Sequence, residues 1–116
     1  MLDEAYAGSC ESVPNPFRVT GHAGPNEVVV VSTGEADVSA APLVAHALSQ
    51  ASWYRHARVA VDLADLDFID THCLAIIFGA HDELKDRGAD LVLRSPHPSV
   101  RRLLDILQRQ DLIENT

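Results

Sequence analysis

Aromatic residues and cysteines are both scarce in this sequence. Aromatics make up 5% of the 116 residues, and there are only two cysteines, Cys10 and Cys73. The core must therefore be built mostly from Leu, Val, Ile and Ala. Two isolated cysteines provide neither a disulfide framework nor the paired spacing of a zinc site, so we expect both thiols to be reduced.

Basic residues are also few, and no long apolar run is present. Nine Lys and Arg stand against 17 Asp and Glu, which gives a formal net charge of −8. Such a charge disfavours binding to nucleic-acid phosphates and to anionic membrane surfaces. No segment approaches the roughly 20 apolar residues of a membrane span, and the first ten residues, MLDEAYAGSC, lack the pattern of a signal peptide. We expect a cytoplasmic protein without nucleic-acid or membrane partners.

The fractions of hydrophobic and charged residues are those of one folded domain. Hydrophobic residues account for 47% of the chain and charged residues for 22%, which is enough apolar material for a core. Residues 1–16 have no apolar period and end in the proline-rich SVPNP, so they are predicted to be a disordered tail. Residues 17–116 are predicted to form the domain.

Apolar periodicity predicts four strands and three helices in the order ββαβαβα. A hairpin is expected over residues 17–32, with its second strand buried on both faces by covering helices. Helical stripes begin near Asp37 or Ser39, at Thr71, and around Val100. Residues 59–63 and 89–93 supply the other strands, with an acidic interruption at residues 65–67. The pattern predicts an α/β fold whose mixed four-stranded sheet is mostly parallel.

Two strand-to-helix junctions are the candidate sites in such a sheet. They lie at residues 34–39 and 70–73, because ligands and partners of parallel sheets gather where strands end and helices begin. The second junction contains a carboxylate, a hydroxyl, an imidazole and a thiol in succession, as Asp70, Thr71, His72 and Cys73.

Both junctions resemble motifs of the STAS domain family, which includes the anti-sigma factor antagonists. Residues 30–37 read VVSTGEAD and resemble the family's strand ending in Gly-Glu-Leu-Asp. Residues 61–71 read VDLADLDFIDT and resemble its apolar strand, acidic or Ser-rich bend, and Phe-Ile-Asp-Ser junction. The resemblance implies a single STAS-like domain, no enzymatic activity, no cofactor, and an anti-sigma factor of the serine/threonine kinase type as partner.

The resemblance also implies site residues. A Ser or Thr directly after the junction Asp is the phosphoacceptor in antagonists of this family, and here that position is Thr71. The implied partner-binding set is Asp37, Ser39, Asp70, Thr71, His72 and Cys73. Where the family usually continues Ser-Ser/Thr-Gly, this chain reads THC, which leaves two alternatives open. Thr71 is then only a helix cap, or the domain is a scaffold or accessory subunit that binds a constant partner without phosphorylation.

Chemistry by His72 and Cys73 themselves is the remaining alternative. Neighbours on a helix point about 100° apart, so the two side chains do not form a catalytic pair, and no metal-ligand spacing is present. A redox role for Cys73 would need a thiol pKa lowered by the helix N-terminus. Against it stands the simpler interpretation of Cys73 as a half-buried small residue.

Overall fold

The computed structural model describes residues 3–10, 16–54 and 58–114, which form one α/β sheet domain. The strands are β1 (Asp3–Cys10), β2 (Phe17–Ala23), β3 (Glu27–Ala36), β4 (Arg58–Ile69) and β5 (Asp90–Arg94), and the helices are α1 (Ala41–Ser52), α2 (Thr71–Asp86) and α3 (Pro98–Ile106). Short 3-10 turns occupy Val38–Ala40 and Gln110–Leu112. The strands lie side by side in chain order, with β1, β2 and β3 antiparallel and β3, β4 and β5 parallel. The predicted α/β class is confirmed.

The sheet has one strand more than predicted. β1 pairs with β2 and lies within the segment predicted to be a disordered tail, so the prediction of four strands is wrong. The Tyr6 hydroxyl donates to the Ala47 carbonyl oxygen over 2.6 Å, and burial raises the pKa of Tyr6 to about 12. A Cβ atom on Gly21 would overlap the Tyr6 ring, so β1 depends on a glycine in the next strand. Residues 1–2 and 11–15 of the predicted tail lie outside the described residues.

The helices cover one face of the sheet only. A single core joins side chains of all three helices, such as Leu48, Leu74 and Leu104, to one strand face that includes Val30 and Val61. Val29 and Ala60 point to the opposite face and are not part of this core, although both are buried. The prediction that the second predicted strand is buried on both faces is confirmed, but the helices cover only one of the two faces.

An ion-pair network lies on the face without helices. The Arg94 guanidinium donates to both Glu114 carboxylate oxygens, over 2.8 and 2.9 Å, and contacts Glu27 at 3.2 and 3.3 Å. Arg58 donates to Glu114 over 2.9 Å. We call Glu27, Arg58, Arg94 and Glu114 the sheet-face network. Long side chains of this kind can cover apolar surface with their methylene groups. Val29 and Ala60 are buried on this same face of the sheet.

Strand β4 continues through the acidic segment where the sequence predicted an interruption. Its pairing with β3 shifts register between Val31 and Thr33 and again between Gly34 and Glu35. These irregularities replace the alternation of an ordinary strand by a three-residue spacing, so that Leu63, Leu66 and Ile69 all face the core. The strand therefore carries its chain directly to the start of α2.

Candidate functional site

The first junction is a capped turn between β3 and α1. The Asp37 carboxylate accepts hydrogen bonds from the Ser39 backbone N–H at 3.0 Å and from the Ser39 hydroxyl at 2.5 Å. Gly34 has a φ of 88°, a left-handed conformation that favours glycine, where the strand pairing changes register. Asp37 is the N-cap of the 3-10 turn that precedes α1, whereas α1 itself begins at Ala41 without a side-chain cap. The predicted cap is therefore present but lies one short turn before the α-helix.

The second junction starts α2 with a carboxylate cap. The Asp70 carboxylate accepts from the His72 backbone N–H over 2.6 Å, which makes Asp70 the N-cap. Thr71 follows as the first helical residue and is exposed. The alternative in which Thr71 itself caps the helix is therefore wrong, because the neighbouring Asp70 already does so.

Two hydrogen bonds join the junctions to each other. The Asp70 N–H donates to the Ala36 carbonyl oxygen over 2.7 Å, and the Cys73 thiol donates to the Asp37 carbonyl oxygen over 3.4 Å. The structure thus brings the two sequence motifs together at one end of the sheet. We call the surface formed by Asp37, Ser39, Asp70, Thr71 and His72 the junction site.

Cys73 and His72 are neighbours in the first turn of α2 but differ fully in burial. The Cys73 side chain is fully buried, whereas the His72 side chain is 76% exposed, with its Nδ1 atom 3.8 Å from an Asp70 carboxylate oxygen. Burial, together with the nearby charges of Asp70 and Asp37, raises the pKa of the Cys73 thiol to about 11. The thiolate that a redox role needs is therefore disfavoured, and Cys73 supports the junction site from beneath, not as one of its accessible side chains.

The surface around the junction site is acidic and has an apolar element that the sequence did not indicate. Asp65 and Asp67 are exposed near the C-terminal end of strand β4. Val38, between Asp37 and Ser39, is 59% exposed. The sequence carried no signal for this exposure, because Ala40 in the same short turn is fully buried.

Metal binding and membrane spanning find no support in the described ranges. No group of three or more His, Cys, Asp or Glu side chains within them is arranged to hold a metal ion. The helices described there are all too short or too polar to cross a membrane.

Comparison with known families assigns the class of this fold. The STAS domain family matches residues 17–116, and the chain belongs to that family. The match begins at β2, so β1 lies outside the matched residues.

Solved structures of anti-sigma factor antagonists have the same fold. Unphosphorylated SpoIIAA is 19% identical, with 86% of this chain and 87% of that chain covered at a TM-score of 0.68. Phosphorylated SpoIIAA of Bacillus is also 19% identical, covering 86% of this chain and 90% of that one at a TM-score of 0.67. An anti-sigma factor antagonist from Mycobacterium paratuberculosis is 18% identical, covering 89% and 87% at a TM-score of 0.76.

Proposed function

We propose that this protein is an anti-sigma factor antagonist that binds a kinase-type anti-sigma factor through the junction site and is released by phosphorylation of Thr71. The observation that carries the proposal is the exposed Thr71 hydroxyl on the first residue of α2, directly after the Asp70 cap. The similar SpoIIAA structures, described in unphosphorylated and phosphorylated forms, support the same interpretation.

The electrostatics of the junction site support a switch. Asp37 and Asp70 are half-exposed carboxylates of the same junction site as Thr71, and their hydrogen bonds come from backbone and hydroxyl groups. A phosphate on Thr71 adds a charge of about −1.5 to −2 beside them. A partner that docks basic or polar groups on the unmodified surface would then face added repulsion and desolvation, which weakens docking.

The position of Cys73 is compatible with this role. Its side chain is buried under the junction, so the residue that replaces the family's usual glycine adds no bulk to the accessible surface. A kinase therefore meets the Thr71 hydroxyl flanked by His72, with the backbone of the first helical turn held by the Asp70 cap.

The test is phosphorylation by candidate anti-sigma kinases from the native host. The chain is incubated with each kinase and ATP, and the modified residue is identified by mass spectrometry. We expect label on Thr71 and none in Thr71→Ala. Ser99→Ala is the matched control, because Ser99 is also an exposed hydroxyl in the first turn of a helix, and it should be labelled like the unaltered chain.

Binding distinguishes the switch from a constant scaffold. Thr71→Glu should weaken capture of the anti-sigma partner about tenfold or more, while Thr71→Ser preserves it. Binding by Thr71→Glu that equals the unaltered chain with every captured partner, or phosphate on another residue, contradicts the proposal and favours the scaffold alternative.

A further inference from the structure

An apolar groove lies between the end of β4 and helix α3, apart from the junction site. Its walls are apolar except for the side chains of Ser99 and Arg102. The lining includes Phe68, Ile69, Val100, Arg102, Leu103 and Ile106.

The groove is surrounded by exposed hydrophobic side chains. Phe68 is 48% exposed and Ile106 is 70% exposed, and Leu107, next along the chain, is 40% exposed. Apolar groups clustered in this way on a small domain mark an interaction surface more often than an isolated exposed residue does.

Helix α3 presents both signs of charge beside these apolar groups. Arg102 and Asp105 are exposed and three residues apart, so they lie on the same side of the helix, near Ile106. The ion pairs found within the described ranges include neither of them. The cation is nearer the start of α3 and the carboxylate nearer its end.

We propose that this patch, made of Phe68, Arg102, Leu103, Asp105 and Ile106, is where two copies of the chain associate. Two α3 helices that pack antiparallel about a two-fold axis between residues 103 and 104 place Arg102 of each copy opposite Asp105 of the other. The apolar side chains of the two patches then cover each other. A two-fold contact needs a self-complementary patch, and the opposite charges at mirrored positions on one helix supply it. This inference does not depend on the proposed function.

The association is weak. A standard interface involves about 20–30 residues on each side, many more than this patch contains. The dimer therefore forms at high protein concentration and dissociates on dilution, and it is measured by sedimentation velocity over a concentration series that extends into the millimolar range.

Charge exchange between copies is the decisive experiment. Arg102→Glu alone places two acidic pairs across the axis, and Asp105→Arg alone places two basic pairs there. Each variant should therefore have a self-association constant at least about tenfold lower than that of the unaltered chain. A one-to-one mixture of the two variants restores both attractive pairs and should associate at least as well as the unaltered chain. Ile106→Glu should abolish association, both as a single substitution and when added to the two charge variants of the mixture.

Arg101→Glu is the matched control. It makes the same charge change one residue earlier, about 100° around the helix, and should leave association unchanged. Each variant must show the unaltered far-ultraviolet circular dichroism and melting temperature, so that loss of association is not loss of folding.

Several results would overturn the proposal. They are an unaltered chain that stays monomeric throughout the series, single variants that associate like the unaltered chain, or a mixture that associates no better than its components. A monomeric chain whose capture of another protein is weakened by Ile106→Glu would assign the patch to that protein instead.

Discussion

The junction site and the sheet-face network use carboxylates in opposite ways. In the network, Glu114 accepts from two arginines and Glu27 contacts one of them, so each negative charge is matched by a positive one. At the junction site, Asp37 and Asp70 accept from backbone and hydroxyl groups, and no Arg or Lys pairs with them in the described part of the chain. Carboxylates paired with guanidinium groups hold the sheet together, whereas carboxylates that only cap helices leave their charge available to a partner.

The largest expected effect concerns the thiol beneath the junction site. In a Cys10→Ser background, alkylation of Cys73 at pH 8 should be at least about 100-fold slower in the folded chain than in urea, because burial and two nearby carboxylates oppose thiolate formation. The rate is followed by mass spectrometry of the alkylated chain. Equal rates in the two states would mean that the carboxylates and the burial do not act on Cys73 as the structure indicates.

The next effect concerns the sheet-face network. Glu114→Ala removes the acceptor shared by Arg94 and Arg58 and should lower the free energy of unfolding by about 2 kcal/mol, measured in urea. Asp111→Ala is the control, because it removes one carboxylate from the exposed pair with Arg109 and should cost less than about 0.5 kcal/mol. Equal costs would show that the network contributes no more than an ordinary surface pair.

The same network predicts a dependence of stability on pH. Hydrogen bonds from Arg94, helped by the charges of Arg94 and Arg58, lower the pKa of Glu114 in the folded chain. The resulting stabilisation is complete above the unfolded-state pKa of about 4.3 and is lost as the pH falls through the lower folded-state pKa. Glu114→Gln should therefore flatten the loss of stability with acidification below about pH 4.3, and an unchanged slope would contradict this assignment.

The smallest effect separates the two roles of a junction carboxylate. Asp70→Ala removes the N-cap of α2 and should lower the free energy of unfolding by about 1 kcal/mol, whereas Asp70→Asn keeps the acceptor and should cost only a few tenths. Because Asp70→Asn removes the charge while preserving the cap, it should still change binding of an anti-sigma partner. If Asp70→Asn binds the partner like the unaltered chain and only the less stable Asp70→Ala binds more weakly, the charge of Asp70 has no separate role in binding.

Much of the fold and of the candidate site followed from local patterns. Asp70 next to Thr71 indicated the start of α2. A glycine follows its end, as is common after helices, and Gly88 has a φ of 80° and donates to the Lys85 carbonyl oxygen. The inward orientation of Cys73 could have been found in the same way. It lies four residues before the buried Ile77 and therefore on the same helical face.

Features that depend on distant parts of the chain could not be predicted. Strand β1 reads DEAYAGSC, which has none of the β-branched residues that mark a strand, and its place is defined by Tyr6 against Gly21 and Ala47. The sheet-face network joins Glu27, Arg58, Arg94 and Glu114 from four parts of the sequence. No local sequence pattern predicts strand β1 or the sheet-face network.

The extra strand has a consequence for any shortened form of this protein. A chain that begins at Phe17, where the family match begins, would lose β1 and leave the backbone N–H and C=O groups along the outer edge of β2 without their strand partners. It would also uncover Gly21, over which the Tyr6 ring now lies. An open edge of this kind is a template for pairing with other chains, and the truncation would pass the edge position from β1, whose sequence begins with Asp3 and Glu4, to β2.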